Sequence, residues 1–173
     1  MMNKILYCLA YAMMGLLLSA LSPHSLADDA RLENQLILAL KIKADGQDRQ
    51  AESRPVIRAY QQAAIISKKP QQRADYIDFY LLQKPASFMG HTLILLEEEY
   101  MDKYVGCCVS PGMGLMLKIN ADTRAVQEFA NKNACTFTPH ADVFDRLRMF
   151  HIDHKLPRAD YAMLSCRERD TQK

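Results

Sequence analysis

The sequence predicts an α+β fold: an N-terminal helical hairpin packed on a mainly antiparallel sheet with one or two inserted helices, braced by disulfides. Three observations predict it. Before residue 70 the apolar side chains recur at helical spacing, from Ala74 onward they alternate in twos, and four cysteines remain once an export signal is set aside.

The helical part comes first. Over Ala30 to Lys43, Leu32, Leu36, Ile37 and Leu40 fall on one side, with Asp28 and Asp29 placed to cap the start and Asp45-Gly46 to end it. The polar stretch GQDRQAESR links to a second helix, where Pro55 suits an N-terminus and Val56, Tyr60, Ala63 and Ala64 repeat at helical spacing. Lys68-Lys69-Pro70 stops it.

The strand pattern begins with ADYIDFYLL, where Ile77, Phe79 and Leu81 alternate with Tyr76, Asp78 and Tyr80. HTLILL after Gly90 suits a buried strand, and the chain becomes polar over the following EEEYMDKY. Val105 to Val109 and Gly114 to Ile119 flank Ser110-Pro111-Gly112-Met113, whose central Pro-Gly is type II turn chemistry, so this pair reads as a hairpin. Asp122 caps a helix through Lys132, Cys135 to Thr138 is a short strand, Asp142 to Phe150 is helical, and Tyr161 to Arg167 is a last strand with Leu164 and Cys166 on one face.

The first 27 residues read as a secretory signal: Lys4 supplies the positive end, Ile5 to Leu21 the apolar stretch, and Ser25-Leu26-Ala27 the small residues before a cut at Asp28. The apolar stretch sits at the lower edge of what spans a bilayer, and the cleavage-like tail favours removal over retention as an anchor. The mature chain, residues 28–173, then forms a single exported α+β domain in the periplasm or outside the cell. Losing Lys4 takes the formal charge from +2 to +1, and no basic block is interleaved with aromatics, so neither nucleic acid nor anionic lipid is an expected partner.

Export also fixes the meaning of the cysteines. Cys8 leaves with the signal, and Cys107, Cys108, Cys135 and Cys166 read as two disulfides in an oxidising compartment. Three connectivities exist. Neighbouring strand residues point to opposite faces, and a bridge between adjacent cysteines closes a very small ring. The favoured arrangement therefore sends Cys107 and Cys108 separately to Cys135 and Cys166. A thiol redox role for Cys107 and Cys108 lacks the C-x-x-C spacing that activates such pairs.

His140, His151 and His154 form a candidate metal cluster, although the last two sit where a helix runs into Lys155-Leu156-Pro157. Glu97-Glu98-Glu99 is the densest acidic run, with His91 upstream and Asp102 beyond. Paired carboxylates serve glycoside hydrolysis, but no nucleophile motif accompanies these, and a run of adjacent acids reads first as a solvated face. No catalytic residue and no cofactor are assigned. Tyr76 and Tyr80, on the presumed outer face of their strand, join Glu97, Glu98 and Glu99 as the candidate contact surface. The alternative is that the two helices cover that face. The functional expectation is an exported protein that binds another protein, an inhibitor or immunity protein guarding the envelope against a toxin. An envelope enzyme or metal-dependent protein using His140, His151 and His154 is the runner-up.

Overall fold

A computed structural model describes residues 24–46, 48–101 and 109–172. In chain order the elements are α1 (His24–Leu40), α2 (Ser53–Gln62), β1 (Gln72–Ala74), β2 (Ile77–Leu81), β3 (Ser87–Phe88), β4 (His91–Glu99), β5 (Gly112–Lys118), α3 (Arg124–Lys132), β6 (Thr136–Thr138), α4 (Val143–Met149) and β7 (Tyr161–Arg167). A 3-10 turn, Glu168–Gln172, ends the chain. The fold is α+β, as the alternation of periods predicts. The strands form one antiparallel sheet in the order β1-β2-β4-β5-β7-β6, with β3 beside the start of β4.

The sheet carries helices on both faces. On one, Leu32, Leu36 and Leu40 of α1, Val56, Ile57 and Tyr60 of α2, and Val126 and Phe129 of α3 share a core with Leu93, Leu96, Leu115 and Leu164. On the other, Val143 and Leu147 of α4 pack with Phe79, Leu95, Met116 and Tyr161. Burying aliphatic side chains on this scale is the main driving force for such a domain, at about 1.5–3 kcal/mol for each one fully removed from water.

A bulge at Ile94 sets which side chains of β4 face which core. Leu93 pairs with Leu117 and Leu95 with Met116, so one extra residue enters β4 between them. Beyond it Leu96 and Glu98 face the α1–α3 side, while Leu95, Glu97 and Glu99 face the α4 side. The strand expected over HTLILL runs three residues beyond its apolar stretch. The three glutamates continue β4 and pair with Gly112, Met113 and Gly114 of β5. Their side chains are buried.

The hairpin expected around Pro111-Gly112 is corrected as well. Gly112 is the first residue of β5, and β5 pairs with β4 and β7. Its φ is 141°, and a Cβ there would lie 2.5 Å from the Cys166 carbonyl oxygen, so glycine is needed for close strand approach. Val109 lies in no strand, and 105–108 fall outside the described residues. Three helix ends also differ from expectation. α1 stops at Leu40 and holds Asp28 and Asp29 inside it. α2 stops at Gln62, where Ala64 turns left-handed at φ 53°, six residues before Lys68. α4 is capped by Asp142, whose carboxylate accepts the Asp145 N–H at 2.9 Å. Among the described residues no helix is long and apolar enough to cross a membrane. α1 begins upstream of the expected cut at Asp28, so that cut would remove its first turn.

The disulfide joins Cys135 to Cys166 across neighbouring strands, with Cα atoms 4.4 Å apart. Thr136 pairs with Ser165, so these cysteines sit opposite each other one step along, at the close spacing of a non-hydrogen-bonded antiparallel pair. The expected branching arrangement is thereby overturned, because its two acceptor cysteines are bonded to one another. Cys107 and Cys108 lie outside the described residues. Of the three pairings, the one containing this bridge is the adjacent-cysteine pairing set aside above. Replacing Cys135 and Cys166 by serine should cost about 3–4 kcal/mol in denaturant unfolding, the chain-entropy value for a separation of 31 residues. Peptide mapping without reductant checks the pairing, and a Cys135 peptide joined to Cys107 or Cys108 would refute it.

Candidate functional site

Three consecutive glutamates inside a sheet must find cations on both faces, because an unpaired buried carboxylate costs several kcal/mol. Alternation sends Glu97 and Glu99 one way and Glu98 the other. The chain answers with four arginines, Arg54, Arg146, Arg167 and Arg169, while Arg73 holds the neighbouring Asp78. The acidic run is therefore the centre of two ion-pair clusters and forms no solvated face, which corrects its assignment to a contact surface.

On the α4 side, Glu97 accepts from Arg146 Nε at 2.7 Å and Arg146 Nη2 at 2.8 Å, and from Arg167 Nη2 at 2.6 Å. Glu99 lies 2.8 Å from Arg167 Nε and 2.9 Å from Arg169 Nη1, and accepts the Ser110 N–H at 2.8 Å. Arg167 is 3 % exposed. Burial pushes the Glu97 carboxyl up, but Arg146 and Arg167 more than offset it and hold it below the usual carboxylate range. Asp170 closes this cluster by accepting from Thr136 and Ser165 hydroxyls and from the Arg167 N–H. The 3-10 turn is thus tied to β6 and β7. Glu97 and Glu99 are committed to cations and Asp170 to hydroxyls and a backbone N–H, and the arrangement locks strands together.

The cluster on the opposite side stands at one end of the sheet and reaches the surface. Asp78 is the cross-strand partner of Glu98. It accepts from Arg73 Nε at 2.5 Å and Nη2 at 2.8 Å, from Tyr100 Oη at 3.1 Å and from Tyr80 Oη at 3.2 Å. Glu98 is served more sparsely. Ser53 Oγ donates to Oε1 at 2.9 Å, while Arg54 Nη1 stands 3.2 Å from Oε2 without the alignment of a hydrogen bond. Burial pushes Asp78 up, yet its donors bring it below the usual range. Burial pushes Glu98 up too, and there Arg54 and Ser53 offset it only in part, so it stays above that range.

Two guanidiniums lie over the Tyr100 ring, Arg54 at 4.0 Å and Arg73 at 5.3 Å from its centroid. Arg73 also donates to the Tyr100 hydroxyl. Beside the stack are Tyr76, 42 % exposed, and Met101, 48 % exposed. Tyr76 sits in the two-residue turn joining β1 to β2. Asp75 and Tyr76 both have positive φ, 50° and 65°, the pattern of a type I′ turn, and its carbonyl accepts the Tyr100 N–H at 3.2 Å. A tyrosine held left-handed is uncommon and carries backbone strain.

The remaining sequence candidates fall as follows. Tyr76 is at the surface, but Tyr80 is buried under α2 with its hydroxyl on Asp78, which corrects its placement on an outer face. His140 pairs with Asp160 at 2.9 Å, His151 is exposed, and half-buried His154 lies against Phe144, ring centroids 5.4 Å apart. Among the described residues no group of three or more His, Cys, Asp or Glu side chains is gathered as a metal ion needs, so the three histidines do not form the expected cluster. His91 is buried, its Nδ1 accepting the Asn120 N–H at 3.3 Å. Sequence reasoning missed Arg54, Arg73, Tyr100 and Met101. The signal for Arg73 was its distance from Asp78 across the Asp75-Tyr76 turn, which makes them direct cross-strand partners. No family model, curated protein or solved structure matches this chain.

Glu97→Gln should destabilise by about 3–5 kcal/mol at neutral pH, the usual cost of breaking a buried pair, since Arg146 and Arg167 lose the carboxylate they share and Glu99 alone remains on Arg167. Because the folded Glu97 value is depressed, this contribution is full above the unfolded carboxyl value and disappears as pH falls through the folded one. Unfolding free energies of the two proteins should therefore converge in acid. Gly114→Ala checks the same cluster sterically. Its Cβ would lie 2.8 Å from Glu97 Oε2 and 3.0 Å from both Arg167 terminal nitrogens, and a loss of about 1–3 kcal/mol is expected.

Proposed function

We propose that this chain is an exported, periplasmic protein that acts by binding another protein, as an inhibitor or immunity protein neutralising an envelope-directed toxin. The single observation that carries the binding role is the surface at the β1–β2 turn. There, exposed Tyr76 and Met101 flank the Arg54–Tyr100–Arg73 stack. Tyrosine, arginine and methionine are the residue types enriched at protein interfaces, and the first two dominate their energetics.

Rigidity supports the same reading. The stack is fixed from below by buried Asp78 and Glu98, and Tyr76 is fixed by a two-residue turn. A partner therefore meets side chains that have already lost much of their freedom, which lowers the entropic cost of association. The other exposed large apolar residues among those described, Leu38 on α1 and Met149 on α4, are single side chains on separate elements. Export is supported by the signal-like first 27 residues, and the Cys135–Cys166 bridge suits an oxidising compartment.

The test is capture from envelope extract by the mature chain, followed by affinity measurement with the captured protein. Tyr76→Gly with Met101→Ala should weaken binding at least about thirtyfold, the scale of losing a hot spot. Met149→Ala should leave affinity unchanged. Stability of the double variant should change by less than about 1 kcal/mol, since both side chains are exposed and glycine relieves the left-handed φ. Affinity that survives the double substitution would refute the assignment of this surface.

A further inference from the structure

The two carboxylates beneath the proposed contact surface are equally buried but unequally satisfied. Asp78 receives four hydrogen bonds, from Arg73, Tyr80 and Tyr100. Glu98 receives one aligned hydrogen bond, from Ser53, and has Arg54 near its second oxygen at 3.2 Å. The charged and titratable groups facing Glu98 among the described residues are Arg54 of α2, Arg73 of β1, Asp78 and Tyr80 of β2, and Tyr100 at the end of β4. Its neighbour on β5 is the uncharged Met113. Two adjacent carboxylates in one poorly solvated site disfavour double ionisation, so on acidification the less satisfied one takes the proton.

We propose that Glu98 is a proton-operated latch on this surface: ionised, it holds Arg54 over the Tyr100 ring, and protonated, it lets Arg54 go. The step adds one proton to the Glu98 carboxylate and breaks no covalent bond. The group formed by Arg54, Arg73, Asp78 and Glu98 passes from balanced charge to a single excess positive charge. Arg73 stays in place, because four donors keep Asp78 ionised. The stack thus loses one of its two guanidiniums as pH falls, and Tyr100 keeps only the more distant one. That this loosening regulates partner binding rests on the function proposed above. The latch itself belongs to the unbound chain and is tested there.

Linkage fixes the sign of the accompanying stability change. The folded Glu98 value lies above the ordinary 4.5, so its ionisation weakens the fold as pH rises through the window between the two. Glu98→Gln should therefore be more stable than the wild type at neutral pH, and the difference should close in acid.

The direct experiment is an NMR titration of the mature chain from neutral to acid pH, following the Glu98 carboxyl carbon, the Arg54 side chain and the Tyr100 ring. The expected result is one shared midpoint above 4.5 for all three. Glu98→Gln should abolish that step and place Arg54 and Tyr100, at neutral pH, where the wild type has them in acid. Arg54→Ala is the second variant, leaving Glu98 to titrate while the Tyr100 step disappears. The latch is overturned if Glu98 titrates at or below the ordinary value, if Arg54 and Tyr100 do not move with it, or if their step persists in Glu98→Gln. Because no partner is present, these outcomes are independent of the Tyr76 and Met101 substitutions that test the binding role.

Discussion

The ion pair between Glu97 and Arg167 is the constraint on which the sheet depends. Both side chains are buried between β4 and β7, with β5 running between those strands, and they meet across it only because Gly114 has no side chain in the way. A buried pair of this kind adds little stability over a well-packed apolar substitute, since desolvation takes back most of the attraction. Its effect is on alternatives. A one-residue slip of β4 would turn Glu97 and Glu99 toward Leu96's core and Leu96 toward the arginines, and each displaced charge would cost several kcal/mol. The pair thereby fixes the registers of β4, β5 and β7 together. It also sets α4, since Arg146 reaches the same carboxylate from that helix, and the C-terminal turn, since Arg169 and Asp170 belong to the same cluster.

The alternation that buries Glu97 also dictates the other face. Once Glu97 and Glu99 point to α4, Glu98 must point to α2, and its direct neighbour on β2 is Asp78. Two acids side by side need two cations, and Arg54 and Arg73 supply them from α2 and β1. Those guanidiniums reach the surface and lie over the Tyr100 ring there. The candidate contact surface is thus the outer end of a charge-balancing problem set in the middle of the sheet. Its rigidity is a consequence of that origin.

Much of the fold could be read from local pattern. β7 matches the expected Tyr161 to Arg167, with Leu164 and Cys166 both in the core, because period-two alternation there is not interrupted. Helices α3 and α4 follow from Asp122, Asp142 and their apolar spacing. The errors arose where a distant partner decides. Glu97 and Glu99 look like part of a solvated face until Arg146 and Arg167, 49 and 70 residues from Glu97, neutralise them. Pro111-Gly112 looks like a turn until the Cys166 carbonyl shows why a glycine opens β5. Cys135 and Cys166 pair because β6 lies beside β7, an adjacency no spacing rule reveals. Of the candidate surface only Tyr76 was legible, and then as an outward strand residue, where the structure puts it in the turn before β2; Tyr80, two steps of alternation further on, is covered by α2, the alternative weighed for that face.

The two ends of the sheet bear on how such a protein would meet a partner. Edge strands expose unpaired backbone groups and invite pairing with another chain. Here both edges, β1 and β6, are only three residues long. β1 is clamped to β2 by Arg73 on Asp78, and β6 is fixed to β7 by the disulfide and by Thr136 on Asp170. Arg49 closes that corner further, donating to the carbonyls of Leu40, Ala134 and Arg167 and so holding the end of α1 against the start of β6. Strand addition needs a longer and freer edge than either of these. On the binding role proposed above, recognition by side chains then has the advantage, and the β1–β2 turn would present them on a base whose register is fixed by the ion pairs beneath it.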